Sequence, residues 1–566
     1  MAEHLHTAKF VIKVDGGELP PGVASSLESA FVDDSLHLPD LFQLTFRDQA
    51  RSIIEEGRFR IGSVVAISVF SGKDKSGERL VEGEVTALEA EFDSSGTTTI
   101  VRGYDKSHRL FRGRMTETYA NVTYSDVASK VARRAGLDIG TVDSSSTVHD
   151  LVSQANATDW QFLSGLAGEI GYEVGCLDGK FQFCKPPQSS QGPPKGTLTA
   201  ASDPLQLVLG ANLISVRATV SSTDQVKQIQ VRGWDPIQKQ ELVATAQAAT
   251  VSTTLDMKPA DTTTSFGDAE YVAVSTPFAT QSEVEAAAKA LAEQIAGAYA
   301  ELEGVAFGNA KLRAGAVVSM GRLKKPFDGK YTLTTTRHAY DTRSGYTVRF
   351  TAGGHQDRSL LALASVNGSG AASPFGAVVT ALVTDVNDPD DMGRVKVKFP
   401  WLSGSYNSDW ARTVQVGAGA KRGAVMLPEV DDEVLVAFDR GDADHPVVLG
   451  GLYNGVDLPE LGDGLIDGAT GAVKRRGFVS KDGHKLVFLD DASKSGILLA
   501  TAENALRISL NDTKSSIKIT SKGKVEVEAN EVTVTAKGKL TLKASTGITI
   551  DGGPSVEVKG SIIKLN

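Results

Sequence analysis

The C-terminal residues 517–566 repeat a pattern of short apolar pairs separated by polar residues and turns. Within each pair the apolar residues are two apart, the period of a β-strand that buries one face. Pairs recur every seven or eight residues, and Gly or Asn often lies between them, where the chain must turn. The pattern predicts a repeat of short strands. The pairs are Ile517/Ile519, Val525/Val527, Val532/Val534, Leu540/Leu542, Ile548/Ile550, Val556/Val558 and Ile563/Leu565.

A strand with two apolar residues cannot cover its own face, and this short repeat contains no second layer. The apolar pairs must therefore be buried inside a coil or against other copies of the chain. We expect a β-helical prism made by several chains. The alternative is an ordinary meander packed on the preceding domain, whose strands are usually longer and less evenly spaced. Which face points inward stays open, and the candidate core residues are Val525, Val527, Val532, Val534, Leu540, Leu542, Ile548 and Ile550.

Strand-like alternation also dominates the chain before this repeat. It predicts a β-barrel or small sandwich over residues 8–105 and a second, related β unit over about residues 200–355. Five or six short strands between residues 375 and 455 indicate a small barrel of the oligonucleotide/oligosaccharide-binding (OB) type. The order of the elements predicts a mainly β protein: two barrels with helical insertions, then an OB barrel, then the terminal repeat.

Three helices are predicted among the strands. Ser125 is a candidate cap for the first helix, which Gly136 would end. The second helix has a possible capping box of Thr158 and Gln161. The third and clearest helix follows a possible capping box of Ser282 and Glu285, and its apolar face is typical of a core-facing helix.

Composition shifts mark the segments between these units. Residues 185–196 are rich in Pro, and residues 244–280 have weak periodicity, which predicts a long surface excursion. Residues 367–373 are rich in Gly, Ser and Ala. The predicted organisation is a first region over 1–365, a linker over 366–374, the OB domain over 375–455, a neck over 456–476 and the needle over 477–566.

Charge and cysteine content narrow the function classes. The net charge of −10 opposes non-specific binding of nucleic acid by the whole molecule. Cys176 and Cys184 flank a predicted hairpin with Asp178-Gly179 at its turn, and this register places Cys176 opposite Phe181, against a disulfide. The N-terminus has no apolar core typical of a signal peptide, and no apolar run is long enough to span a membrane. We therefore expect synthesis in the bacterial cytoplasm.

The sequence contains no recognised catalytic, cofactor-binding or metal-binding motif. It has no GxSxG, no GK[ST] and no HExxH, and its histidines are scattered without zinc spacing. Residues 388–393 resemble the start of a calcium loop, but Phe399 occupies the position that requires Glu, so we predict a turn. Residues 440–442 (RGD) are likewise predicted to form a turn. Trp401, Trp410 and Phe399 would suit either a base-stacking platform or a core, and a core is favoured.

The motifs of the chain resemble those of a known family. VRGYDKSHRLFRGR (101–114), SDVASKVARRAGL (125–137) and QANATDWQFLSGLAGEIGYEV (154–174) resemble the hub domain of phage-tail baseplates. Residues 375–455, including FGAVVTALVTDVNDPDDMGRVKVKFPWLS, resemble the OB domain of VgrG (valine-glycine repeat) spike proteins, and the terminal repeat is similar to their β-helical needle. The resemblance covers nearly the whole chain and implies a VgrG-type spike of a contractile injection system.

This resemblance implies specific partners. Family members are homotrimers that join the hexameric inner tube and baseplate proteins to a puncturing needle. They carry a PAAR-type tip protein or effector cargo, and they meet the target membrane only by puncture. The particle can be cytoplasmic, membrane-anchored or extracellular. The implied tip-docking residues are at the end of the repeat: Pro554, Val556, Val558, Ile562, Ile563, Leu565 and Asn566.

Two departures from the family pattern predict that this chain is not an enzyme. Some relatives insert a wall-degrading domain before the needle, whereas the neck here is too short to hold one. Others append an effector after the needle, and here the sequence stops at Asn566. The alternatives are an envelope-degrading or toxic effector enzyme, which needs such an added domain, and a glycan-binding adhesin that uses the OB barrel.

Overall fold

The computed structural model describes residues 8–70, 77–94, 96–197, 203–235, 237–264, 266–274, 276–354, 378–400, 402, 405–462, 464–491 and 493–564. The predicted linker over 366–374 lies outside these ranges. The chain divides into two compact units, Met1–Leu452 and Tyr453–Asn566, and each is described by itself. No helix in the described ranges is long and apolar enough to cross a membrane.

The first unit begins with seven strands whose buried positions alternate as the sequence predicts. In the strand Leu41–Arg47, for example, Phe42, Leu44 and Phe46 are fully buried. The short helices are α1 (Pro21–Ser25) and α2 (Ile53–Glu56). The strands are β1 (Lys9–Val14), β2 (Gly17–Glu18), β3 (Leu27–Ser35), β4 (Leu41–Arg47), β5 (Val64–Phe70), β6 (Glu78–Asp93) and β7 (Gly96–Asp105).

A helical region with its own core follows. Its helices are α3 (Tyr124–Arg134) and α4 (Asp159–Ile170), which pack over Leu110, Phe181 and Phe183. A 3-10 helix, Lys106–Phe111, leads into this region. Its strands are β8 (Met115–Val122), β9 (Asp138–Val142), β10 (His149–Ala157), β11 (Glu173–Leu177) and β12 (Lys180–Cys184).

The hairpin β11–β12 confirms the predicted cysteine register. Cys176 pairs with Phe181 across the hairpin, Cys184 pairs with Glu173, and both cysteines are free thiols. Asp178 and Gly179 at the turn both have positive φ, the conformation that a two-residue hairpin turn of this kind requires.

The second β unit contains thirteen further elements, including the long helix α6. The predicted surface excursion over 244–280 is wrong in part, because it contains strands and a short helix; one of these strands pairs in parallel with Gln228–Asp235. A 3-10 helix, Ser189–Gln191, precedes them. They are β13 (Gln206–Val208), β14 (Leu213–Val220), β15 (Gln228–Asp235), β16 (Gln240–Gln247), β17 (Thr253–Leu255), α5 (Pro259–Thr263), β18 (Glu270–Ala273), α6 (Gln281–Gly297), β19 (Ala300–Phe307), β20 (Val317–Gly321), β21 (Gly329–Thr332), β22 (Thr335–Asp341) and β23 (Gly345–Ala352).

The caps of the helices match the predictions at one of three sites. The capping box of Thr158 and Gln161 on α4 is confirmed. Thr123, rather than Ser125, caps α3. Helix α6 begins after Thr280, which forms a capping box with Glu283, so the box predicted two residues later is wrong.

The two β units are joined in one sheet. Strand β3 of the first unit pairs antiparallel with β22 of the second, with Val32 opposite His338. This pairing gives an 11-stranded sheet in the order β14-β19-β23-β22-β3-β4-β7-β6-β5-β1-β2. We call the part of the chain from β1 to β23 the hub region. It is held together by backbone hydrogen bonds between segments that are about 300 residues apart in sequence.

Five strands at the end of the first unit form the small sheet of the OB domain. They occur in the order β25-β24-β27-β28-β26. Phe399 is fully buried among their apolar side chains, which confirms its predicted place in a core. The strands are β24 (Val379–Asp385), β25 (Lys396–Lys398), β26 (Arg412–Thr413), β27 (Glu433–Phe438) and β28 (Pro446–Gly451).

The second unit contains five strands that form an antiparallel meander. Residues 453–474, before the first strand, contain one isolated bridge between Ile466 and Val473 and no longer strand in their described part. After the last strand, residues 522–564 form no strand with the rest of the same chain. The predicted needle range thus has two different parts. The strands are β29 (Arg475–Val479), β30 (Lys485–Leu489), β31 (Gly496–Ala500), β32 (Leu506–Asn511) and β33 (Ser516–Ser521).

Candidate functional site, an exposed apolar face

The register of the meander gathers large apolar side chains on one face. Leu499 pairs with Leu486 on one side and with Ile508 on the other, and Ile508 pairs with Ile519. Because residues two apart in a strand share a face, a second parallel row runs beside the first. The two rows and their neighbours comprise Phe478, Leu486, Phe488, Ile497, Leu499, Leu506, Ile508, Leu510, Ile517 and Ile519.

This apolar face is open, whereas the opposite face is partly covered. Leu499 is 52% exposed and Ile519 is 60% exposed, but Val487 on the other face is 1% exposed. An isolated soluble chain rarely shows a continuous apolar surface of this size, and such surfaces usually mark an interface. The alternation of KLVFLD, ILLAT and LRISLND predicts these strands, but it does not specify that they share an uncovered face.

The predicted needle-core residues continue this exposure. All eight lie in residues 522–564, outside any strand, and their exposures run from 54% for Ile548 to 73% for Val527. Polar neighbours alternate with them. Lys524 Nζ, for example, lies 2.6 Å from Glu526 Oε1, and these two residues flank Val525. The segment thus combines exposed apolar and charged side chains, and the described residues of its own unit leave the apolar ones uncovered.

The predicted tip-docking residues that the structure describes are also exposed. Ile562 is 77% exposed and Val558 is 67% exposed, and Pro554, Val556 and Ile563 are exposed as well. Leu565 and Asn566 lie outside the described residues.

The first strand of the meander is fastened to the segment before it. Arg475 Nη1 donates a hydrogen bond to the carbonyl oxygen of Leu461 at 2.9 Å. Lys474 Nζ lies 2.7 Å from Asp467 Oδ2, and this hydrogen bond, with those from the backbone N–H groups of Thr470 and Ala469, lowers the pKa of Asp467. These contacts hold the open end of the sheet in place.

The other candidate chemistry is accounted for by structural roles. Asp388 accepts hydrogen bonds from the backbone N–H groups of Asp390, Met392 and Arg394, and the Arg394 guanidinium pairs with its carboxylate at 2.6 Å. This confirms the predicted turn. Among the described residues, no group of three or more His, Cys, Asp or Glu side chains is arranged to hold a metal ion.

The remaining sequence candidates lie in the OB domain. Residues 439–441 form a 3-10 turn between β27 and β28, which confirms the turn predicted for the RGD triplet. Trp410 is half-buried and lies under Lys396 Nζ, 4.9 Å from the centre of its ring. Trp401 lies outside the described residues.

Comparison with known proteins identifies two sequence families in this chain. Residues 379–453 match the type VI secretion system/phage-baseplate injector OB domain. Residues 41–341, just over half of the chain, match the Alg8 N-terminal domain. The first match falls on the OB sheet, and the second falls on most of the hub region.

Curated relatives match this chain in sequence over limited lengths. The actin cross-linking toxin VgrG1 of Vibrio cholerae is 32% identical over 161 residues, which are 28% of this chain and 14% of that protein. The type VI secretion system spike protein VgrG3 of the same species is 36% identical over 115 residues, 19% of this chain and 11% of that protein. The chain thus spans well under a fifth of either relative.

A solved structure shares the fold over most of both chains. It is a Francisella PdpA-VgrG complex in a half-lidded state, and it matches with a TM-score of 0.55 and 8% identity over 92% of this chain and 89% of that one. At 8% identity this match shows a shared fold. The chain belongs to the family of the Alg8 N-terminal domain, and parts of its sequence are similar to VgrG spike proteins.

Proposed function

We propose that this protein is the central spike and baseplate hub of a contractile injection system. It joins a hexameric inner tube to a puncturing tip and travels with that tip when the sheath contracts. The observation that carries this proposal is the uncovered apolar face of the meander, which continues into the evenly spaced apolar pairs of residues 522–564. Such a surface requires other chains to cover it.

The covering chains are two further copies of this protein. In a homotrimer the apolar sides of three C-terminal segments face one axis, and the charged sides face water. The backbone groups of residues 522–564, which form no strand within one chain, then pair between chains and leave no free edge along the shaft. This arrangement gives the stiffness that a puncturing needle needs.

The partners of the trimer follow from its position. Its hub region contacts inner tube and baseplate proteins, and its end carries a PAAR-type tip protein through Pro554, Val556, Val558, Ile562, Ile563, Leu565 and Asn566. Effectors are separate proteins that the spike carries, so the chain itself acts structurally rather than as an enzyme. It is made in the bacterial cytoplasm and assembled into a contractile particle that is cytoplasmic, membrane-anchored or extracellular.

The mass of the purified protein tests this proposal. Light scattering at micromolar concentration should give the mass of three chains, and Val534→Asp should reduce it towards one chain because three carboxylates would share one apolar layer. Thr533→Asp places the same charge on the adjacent, outward side and should leave the trimer intact. A monomeric wild-type protein, or equal effects of the two substitutions, would overturn the proposal.

A further inference from the structure

A loop of the OB domain rests against the helical region of the hub. The loop between β27 and β28 reaches β10, where the backbone N–H of Ser153 lies 3.4 Å from Asp444 Oδ2. Tyr406 OH donates to Ser153 Oγ at 3.2 Å, and Arg440 Nη1 donates to the carbonyl oxygen of Thr276 at 2.8 Å. These contacts form the joint between hub and OB domain, and they lie within one compact unit.

The joint collects more carboxylates than cations. The OB loop contributes Asp442 and Asp444, and the hub contributes Glu169 from α4 and Glu283 from the first turn of α6. Other charged side chains facing the same cleft are Asp150, Arg394, Asp409, Arg412, Asp439 and Arg440. Arg394 is already paired with Asp388 and Asp390. Arg440 Nε lies 3.9 Å from Asp439 Oδ1.

Two histidines are the titratable counterparts of these acids. His149 Nδ1 on β10 lies 3.4 Å from Glu283 Oε1, and its ring stacks on that of Tyr124 at 4.2 Å. His445 Nδ1 on the OB loop lies 3.0 Å from Asp442 Oδ2. Each half of the joint thus carries one histidine beside one carboxylate.

The two remaining acids have no cation of their own. Glu169 accepts a hydrogen bond from Tyr124 OH at 2.5 Å. Asp444 Oδ1 is buried and has no hydrogen-bond partner among the described residues. A buried carboxylate oxygen without a donor is costly when it is ionised, whereas a proton removes the charge.

We propose that this joint is a proton-operated latch, in which uptake of protons by Asp444, Glu169 and His445 tightens the OB domain on the hub as the pH falls. Ionised, the four carboxylates repel one another across the joint. Protonated, the acids become neutral and the imidazole becomes a cation among carboxylates.

The directions of the pKa shifts agree with this geometry. Burial, and then the charge of Asp442, raises the pKa of Asp444 to about 7. Burial also raises the pKa of Glu169, and Asp442 from the other side of the joint adds to the rise. Burial alone would lower the pKa of His445, but its hydrogen bond to Asp442 and the nearby acids raise it.

The sign of the pH dependence follows from these directions. A group whose pKa is raised in the docked state binds more protons there, so docking is favoured below its ordinary pKa and weakens as the pH rises through the raised value. Burial would raise the pKa values of Glu283 and Asp442, but hydrogen bonds from the paired histidines and from backbone N–H groups lower them. Protonation of these two acids therefore opposes docking only in stronger acid. With a raised pKa of about 7, Asp444 therefore takes up a proton as the joint closes near neutral pH.

Hydrogen exchange of the full chain tests the latch. The measured quantity is the protection factor of the β10 peptide, which contains the Ser153 amide, relative to that of β16 in the same hub. The pKa of Asp444 is raised from its ordinary value of 3.8 to about 7. This change alone should make the ratio of protection factors about tenfold higher at pH 6 than at pH 8. An equal ratio at the two pH values would overturn the proposal.

Three variants make the test specific. Asp444→Asn mimics the protonated acid and should raise protection at pH 8 while reducing the pH dependence to about threefold or less. Glu169→Gln removes one acid on the hub side and should also raise protection at pH 8. Asp391→Asn changes an exposed acid elsewhere in the OB domain and should behave as wild type. A tenfold dependence retained in Asp444→Asn, or no gain at pH 8 in Glu169→Gln, would exclude the latch.

Discussion

Arg313 Nε donates a hydrogen bond to Asp34 Oδ2 at 2.5 Å and so ties the second β unit of the hub to strand β3 of the first. The backbone N–H of Ala314 donates to the same oxygen at 3.0 Å. The side chains are 13% and 6% exposed. A buried pair of this kind adds little net stability over apolar residues, but the loss of one partner leaves a buried charge uncompensated.

Arg313→Met should therefore lower the free energy of unfolding of the hub by about 3–5 kcal/mol. Chemical denaturation of the full chain measures this loss. The matched control is Arg337→Met: Arg337 also pairs with a carboxylate of β3, Asp33, but its side chain is 51% exposed and stacks on Phe31. The control should cost about 1–2 kcal/mol or less. Equal costs would show that burial of the Asp34 pair is unimportant.

Asp40 is the second buried acid beside Arg313, and its surroundings disfavour the ionised carboxylate. Burial, then the charges of Asp34 and Asp105, hold its pKa well above the usual range. The wild-type hub should lose stability as the pH rises through this raised pKa, and Asp40→Asn, which cannot ionise, should not. We expect the denaturation midpoint of the variant to rise relative to that of wild type as the pH is raised.

Asp33→Asn controls for this experiment, because it makes the same change on the exposed face of the same sheet. It should not raise the denaturation midpoint at high pH, because it removes the ion pair of Asp33 with Arg337. An Asp40→Asn protein that is less stable than wild type at every pH would mean that the carboxylate of Asp40 is needed in its charged form.

Local signals predicted local structure well. The Asp178-Gly179 turn determined the register of the hairpin that holds the cysteines, because both turn positions need positive φ. The error at α6 came from two overlapping cap motifs. Thr280 with Glu283 and Ser282 with Glu285 have the same spacing, and propensity alone does not separate them. In the structure Glu283 also accepts a hydrogen bond from the backbone N–H of Ala279, which favours the earlier box.

Pairings between distant segments could not be predicted in this way. Nothing in the alternation of β3 or β22 specifies that Val32 lies opposite His338, because every half-buried strand offers the same backbone groups to a neighbour. The joint around Asp444 is likewise assembled from four separate segments. The apolar repeat could be predicted because each of its units has the same short pattern. The sequence of one chain does not specify which surface covers the apolar residues.

The meander face offers a matched test of assembly. Ile519 and Lys518 are adjacent in β33 and point to opposite faces of the sheet, with Ile519 in the apolar row. Ile519→Asp should leave the monomer folded, since the side chain is 60% exposed within one chain, but should abolish the trimer. Lys518→Asp should leave both the fold of the monomer and the trimer intact. Native mass spectrometry gives the stoichiometry, and a trimer of Ile519→Asp would show that this face lies outside the interface.

The end of the repeat should be needed for the tip and not for the trimer. A chain that ends after Gly552 keeps the apolar pairs from Val525 to Ile550, so enough layers remain to hold three chains together. It loses the exposed Val556, Val558 and Ile562, which we expect to form the docking surface. Light scattering should still report three chains, whereas an immobilised PAAR-type tip protein should no longer capture them. Lys559→Gln, a change in the same segment on its charged side, should preserve capture. Capture by the shortened trimer would place tip docking elsewhere, and dissociation into monomers would mean that the last repeats also hold the shaft together.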